Sequence, residues 1–255
     1  MRLVDAHCHL DDQQFADDLE AVIARAADAG VQTIITAGAD VESSRAAVAL
    51  AQQHENIYAV VGIHPEHASE FDDAVLNAIR ALASERKVVG IGEIGLDFYW
   101  QNNPPREKQV SALIAQLDLA AELGKPVVIH DRDAHAELME ILARRRAPRG
   151  ILHCFSGDLA MAQRAIDLGF YISFAGNVTF KNARQLQEIA RVLPLERIVV
   201  ETDAPYLSPL RGRRNEPANV ARVAAKIAEL KNIAAAVVEQ TTTQNSTDLF
   251  GLKTE

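Results

Sequence analysis

Cysteine is nearly missing from this 255-residue chain, with Cys8 and Cys154 the whole complement. Two thiols give no disulfide framework and suit a reducing compartment. No apolar run is long enough to cross a bilayer, so no membrane-spanning helix is expected. No signal-peptide pattern precedes the first strand, which begins within Met1-Arg2-Leu3-Val4-Asp5, and a cytoplasmic protein is the expectation. An excess of basic residues is lacking as well: 26 Lys and Arg stand against 35 Asp and Glu, a net charge of −9. That argues against a broad cationic surface for tight non-specific duplex binding, but not against a nucleic-acid substrate. Two divalent ions in a cleft bring about four positive charges to the place where a phosphate would sit. Linkers, internal repeats and low-complexity stretches are also absent. With no boundary, residues 1–255 read as one domain.

What the chain has is strand–helix alternation from end to end. Strand-like runs lie near Leu3–His7, Thr33–Thr36, Tyr58–Gly62, Val88–Ile91, Val127–His130, Ile151–His153, Tyr171–Phe174 and Ile198–Glu201. Amphipathic stretches separate them. Val110, Leu113, Ile114 and Leu117 share one face of Arg106–Leu123, and Leu186, Ile189, Ala190 and Leu193 one face of Asn182–Leu193. Gly30, Gly124 and Gly169 stand where helices should close. About eight such units in this length predict a parallel TIM (β/α)8 barrel, with an extra C-terminal helix near Ile233–Phe250.

Five segments end in metal-ligand types: Asp5-Ala6-His7-Cys8-His9, Gly92-Glu93-Ile94-Gly95, Val128-Ile129-His130, Ile151-Leu152-His153 and Val200-Glu201-Thr202-Asp203. Side chains alternate across a strand, so Asp5, His7 and His9 share a face, as do Val128 with His130, Ile151 with His153, and Glu201 with Asp203. In a barrel the inward face at the carboxyl end of the strands opens into the active-site mouth. The same alternation assigns Val4, Ala6, Cys8 and Cys154 to the helix-packing side. Four imidazoles with Glu93 and Asp203 exceed the needs of one tetrahedral site, so two divalent ions are expected, with Zn, Mg and Mn all compatible with these donors. Glu93 would bridge them, and Asp203 would bind one and take a proton from water.

These motifs resemble the TatD family of metal-dependent hydrolases, within the wider amidohydrolase-like group of barrels. The resemblance runs over nearly the whole chain. It is carried by Asp5-Ala6-His7-Cys8-His9-Leu10, Gly90-Ile91-Gly92-Glu93-Ile94-Gly95-Leu96-Asp97, Pro126–Ala134, Leu152-His153-Cys154-Phe155-Ser156-Gly157, Glu201-Thr202-Asp203-Ala204-Pro205-Tyr206-Leu207 and Asn215-Glu216-Pro217. It implies a two-metal barrel hydrolase with ligands His7, His9, Glu93, His130, His153 and Asp203. Several members of that family are described as DNases acting on strand ends, and others are linked to deacylation of mischarged tRNA. Glu93 fills the fourth-strand position at which other barrels of the wider group carry a carboxylated lysine.

Around this set the sequence leaves pairs of roles open. His64 is a phosphate ligand or a loop histidine. Arg132 grips a phosphate in bidentate fashion or makes a surface ion pair. Glu201 orients a ligand histidine or forms a buried pair. Tyr99-Trp100 stacks on a base or forms an apolar flap. Arg211-Gly212-Arg213-Arg214 is the most basic loop and suits an anionic substrate, with Arg213 as a contact, whereas Arg144-Arg145-Arg146 reads as a helix-end run favoured by the dipole. His54, His67 and His135 read as solvated, outside the site. The combined expectation is a monomeric deoxyribonuclease acting transiently on single-stranded or frayed DNA ends through a metal-activated water. The alternatives are a metal-dependent deacylase or amidohydrolase, and a metal-bound scaffold without activity.

Overall fold

Eight strands pair side by side in chain order, each parallel to the next: β1 (Leu3–Cys8), β2 (Val31–Ala37), β3 (Ile57–Val61), β4 (Val88–Asp97), β5 (Val127–Arg132), β6 (Gly150–Leu152), β7 (Tyr171–Phe174) and β8 (Ile198–Val200). They come from a computed structural model that describes residues 3–145 and 148–252. Helices α1 (Leu19–Asp28), α2 (Val41–Gln53), α3 (Asp73–Ala83), α4 (Arg106–Leu123), α5 (His135–Arg145), α6 (Leu159–Asp167), α7 (Arg184–Val192) and α8 (Val220–Lys231) follow the strands one by one, and α9 (Ala235–Phe250) is added at the end. This is the expected TIM (β/α)8 barrel with its extra helix.

Local chemistry sets the helix ends. The Asp40, Asp72 and Asp158 carboxylates accept from the backbone N–H groups of Ser43, Val75 and Met161, capping α2, α3 and α6. Gly124 closes α4 at φ 64°, and Gly30 and Gly169 also adopt positive φ. The run at the end of α5 is structural as far as it is described. Arg144 pairs with Glu140 and Arg145 with Asp118, while Arg146 lies outside the described residues.

The seam between β8 and β1 closes through side chains as well as backbone. Asp203 N–H donates to the His7 carbonyl at 3.0 Å, and His9 N–H donates to that of Ala204 at 2.8 Å. Beneath them the fully buried Asp5 carboxylate accepts from Thr202 N–H at 2.8 Å and Thr202 Oγ1 at 2.5 Å. Asp5 is therefore a clasp across the seam.

Alternation fails in β1. Its register against β2 shifts between Leu3 and Val4 and again between Asp5 and Cys8. Val4 and Ala6 consequently pack with Val128, Ile151 and Val199, while Cys8 alone of that trio joins the helix-facing core. Cys154 departs too. β6 ends at Leu152 and Cys154 has φ 43°, so parity does not carry past the strand and Cys154 lines the mouth of the barrel.

β4 runs on through Asp97, six residues beyond the expected Ile91. Its glycines serve close approach between strands. A Cβ at Gly95 would collide with the His130 carbonyl oxygen, and one at Gly92 would meet Val128. The buried face of α4 is also rotated from expectation: Leu113 and Leu117 are buried, but Gln109 and Gln116 join them while Val110 and Ile114 are only partly covered. Leu249, Phe250 and Leu252 pack against Val4, Val89, Val128 and Val199, so the end of α9 seals the floor of the barrel.

Phe250→Ala is expected to cost about 3–5 kcal/mol, because the floor cannot collapse onto the vacated volume. Val237→Ala, at an exposed position on the same helix, should stay within about 0.5 kcal/mol. Urea unfolding of the two variants measures both, and equal midpoints would show that α9 does not seal the core.

Candidate metal centre

The carboxyl ends of the strands surround a cavity of about 720 Å³. At its base lies the Glu93 side chain, 4% exposed, with its two oxygens turned to different partners. Oε2 faces His7 Nε2 at 3.4 Å and His9 Nε2 at 3.6 Å. Oε1 faces His130 Nδ1 at 2.7 Å, His153 Nε2 at 3.1 Å and His64 Nε2 at 3.5 Å. Asp203 Oδ1 completes the first side, 3.6 Å from His9 Nε2 and 3.8 Å from His7 Nε2. All six residues expected as ligands therefore meet, and His64 stands with the second group.

The spacing fits a cation. Four ligands about 2.1 Å from a tetrahedral ion stand about 3.4 Å from one another. His7 Nε2 and His9 Nε2, 3.2 Å apart, stand near that spacing from each other, from Glu93 Oε2 and from Asp203 Oδ1. The other nitrogen of His7 is buried with no hydrogen-bond partner among the described residues.

Charge is arranged around Glu93. Burial alone would raise its carboxyl, but the His153 charge and the His130 hydrogen bond hold it well below the usual carboxylate range. Burial, with His153 beside it, lowers His7. Burial also disfavours charge on His9, yet its bond to Asp203 and the Glu93 charge outweigh this and hold it up to about 9. His64, buried beside His130, is pushed down to about 3.

Carboxylates behind the imidazoles set their orientation. Glu201 Oε1 accepts from His153 Nδ1 at 3.0 Å and from Cys154 N–H at 2.7 Å, while Oε2 accepts from Ser173 Oγ. Glu201 is therefore a histidine-orienting group. Asp97 does the same for His130, whose Nε2 lies 3.2 Å from Asp97 Oδ2. Sequence reasoning gave Asp97 no role, although residues 93 and 97 share strand parity and the motif contained it. The amide of Gln109 pairs with both the N–H and the carbonyl of Asp97, and that of Gln116 does so with Ile63. These buried glutamines of α4 hold the segments carrying Asp97 and His64, and their apolar-periodic surroundings gave no sign of it.

Arg132 lines the cavity, and no carboxylate pairs with it among the described residues. Arg213 does not reach the site: it is exposed and absent from the cavity wall. The loop around it is drawn outward, because Arg214 packs over Phe15 and pairs with Asp18 and Glu216. The histidines expected to be solvated are partly covered: His54 pairs with Glu20 at 3.4 Å, and His135 Nδ1 lies 2.7 Å from Asp131.

A parallel barrel whose mouth gathers histidines and carboxylates at metal-ligand spacing defines a metal-dependent hydrolase. The family model for TatD related DNase matches residues 4–251. The chain is 39% identical over 252 residues to YabD of Bacillus subtilis, an uncharacterized metal-dependent hydrolase, covering 97% of this chain and 98% of that one. It is 37% identical over 259 residues to the 3'-5' ssDNA/RNA exonuclease TatD of Escherichia coli, covering 98% and 99%. The crystal structure of YjjV, a TatD homolog from Escherichia coli, superposes with a TM-score of 0.93 at 35% identity over 98% of both chains. The chain belongs to the TatD family.

With Asp203 and Glu93 holding the His9 imidazole up to about 9, a cation entering between His7 and His9 would have to displace a proton below that pH. Mn²⁺ affinity should therefore rise with pH up to that point and level off above it. Calorimetry at pH 7 in two buffers of different ionisation enthalpy should show proton release, and identical heats would refute it. Glu201→Gln and Asp97→Asn should each weaken divalent-ion binding about 10- to 100-fold, as read by equilibrium dialysis. Unchanged affinity would remove the orienting role.

Proposed function

We propose that this protein is a divalent-metal-dependent phosphodiesterase that removes nucleotides from single-stranded or frayed nucleic-acid ends. The observation that carries the reading is the division of Glu93, one oxygen toward His7 and His9 and the other toward His130 and His153. Such a carboxylate suits a pair of cations, one held by His7, His9, Glu93 and Asp203 and the other by Glu93, His130 and His153. Zn, Mg and Mn are all compatible with these donors. When bound, the ions supply polarisation of the phosphoryl oxygen and a lowered pKa for water.

The chain's own residues do the remaining work. Asp203, 13% exposed at its side chain, takes the proton as water attacks phosphorus and the bond to the leaving oxygen breaks. Asp97 and Glu201 keep their imidazoles aimed inward. Arg132 neutralises a phosphate at the rim, and His64 lies deep enough to contact the reacting group. The similarity to an enzyme named as a 3'-5' ssDNA/RNA exonuclease supports both this substrate class and attack from the 3' end.

One observation favours a second reading. Asp11, Asp12, Glu66 and Asp131 also line the cavity, and a carboxylate rim accepts an ammonium more readily than a polyanion. A deacylase acting on aminoacyl esters would use the same centre on a carbonyl.

With Mg²⁺ or Mn²⁺, the protein should release nucleotides from the 3' end of a 5'-labelled single strand, and a chelator should abolish release. Asp203→Asn should lower the rate about 10²- to 10⁴-fold. Arg132→Glu should collapse oligonucleotide turnover while sparing a neutral ester. Hydrolysis of an aminoacyl ester without nucleotide release would transfer the assignment to the deacylase.

A further inference from the structure

Among the described residues, the exposed large aromatic side chains are Tyr99, Trp100 and Tyr206, at 49%, 56% and 52%. All three lie at the mouth of the metal centre. Trp100 and Tyr206 line the cavity itself, one after β4 and the other after β8, half a turn apart around the eight-stranded barrel. Tyr206 is already engaged: its hydroxyl donates to Asp12 at 3.0 Å, and its ring stands edge-on to His9. Trp100 presents its indole to solvent beside the reacting centre.

The ring is held in a built arrangement. The Arg132 guanidinium lies over the Tyr99 ring, 3.9 Å from its centroid, and 5.1 Å from that of Trp100. The two rings meet edge to face at 4.8 Å. Asp97 Oδ1 accepts from the backbone N–H groups of Tyr99, at 3.0 Å, and Trp100, at 3.4 Å. Asn103 and Gln109 secure the Asp97 carbonyl. The carboxylate that orients His130 thus also fixes the backbone under Trp100, and the ring is positioned relative to the metal centre before any ligand arrives.

We propose that Trp100 is a stacking seat for an unpaired nucleobase whose own phosphate is held by Arg132. This rests on the phosphodiesterase reading and narrows it. A guanidinium lying flat on an aromatic ring keeps its N–H edges free for phosphate oxygens. With its centroid 5.1 Å from that cation, the indole sets a π-face and an anion-binding group side by side, as a base and its phosphate are joined within one nucleotide. A base offers its π-face only when it is unstacked, so the seat selects single-stranded ends over duplex, and any base will do.

Trp100 is the chain's single tryptophan, so its emission reports the seat directly. Metal-loaded protein is titrated with a phosphorothioate oligodeoxynucleotide and with the same backbone carrying abasic 3'-terminal units, while anisotropy of labelled versions measures binding. The base-bearing strand should quench Trp100 saturably. The abasic strand should bind about 5- to 100-fold more weakly and leave emission unchanged. With unmodified DNA, Trp100→Ala should raise KM by a similar factor and Trp100→Phe should restore it, both at wild-type metal content. Cleavage of base-bearing and abasic strands with equal KM, or equal quenching by both, overturns the seat and leaves the phosphodiesterase reading standing. Failure of the metal-loaded protein to cleave either strand overturns that reading and the seat with it.

Discussion

Glu93 is the constraint on which the rest of the molecule is arranged. A carboxylate buried at the floor of a cavity is costly unless charge and hydrogen bonds surround it. Here five imidazoles do so: His7 and His9 on one oxygen, His64, His130 and His153 on the other. Pairing alone would have called for fewer groups. The surplus of donors, spaced as ligands are spaced around an ion, gives the arrangement its chemical meaning, and the proposed pair of cations answers it.

The barrel makes this gathering possible with little local sequence. Strands β1, β4 and β5 carry donors directly, and the segments after β3, β6 and β8 supply the others. Three devices hold the ring tight enough. Gly92 and Gly95 let β4 and β5 approach, the Asp5–Thr202 clasp closes the seam that positions both His7 and Asp203, and the α9 terminus fills the opposite end. Behind the donors, Asp97 and Glu201 fix imidazole orientation, and Gln109 ties Asp97 to α4. Asp97 joins three functions in one residue: one carboxylate oxygen reaches His130, the other caps the turn that carries Trp100, and its backbone is gripped by Gln109.

Much of this was legible before any coordinates. Strand ends terminating in His and Glu, alternation of strands and helices, and helix-closing glycines led to the barrel and to the six residues that meet at its mouth. Parity was a sound guide in β5, where Val128 and His130 share a face, and through Ile151 and His153. It failed where its premise failed. β1 carries register shifts that carry Val4 and Ala6 inward, and Cys154 follows a strand that has already ended. Charge was a weaker guide still. Arg211–Arg214 looked like a phosphate clamp, but a cation's role depends on which carboxylates reach it, and Asp18 and Glu216 claim Arg214 from distant and adjacent positions alike.

The sequence by itself determined the parallel barrel, the family and the set of side chains able to hold metal, because periodicity and residue type survive without knowledge of contacts. Only the tertiary structure decided how those side chains divide between the two oxygens of Glu93, which carboxylates stand behind them, and which arginine faces the cavity. Those outcomes depend on residues brought together from separate turns of the barrel. Asp97 meets His130 across 33 positions, and Glu201 meets His153 across 48. Distances of a few ångströms between such residues are set by strand register and barrel closure, and a linear pattern holds neither.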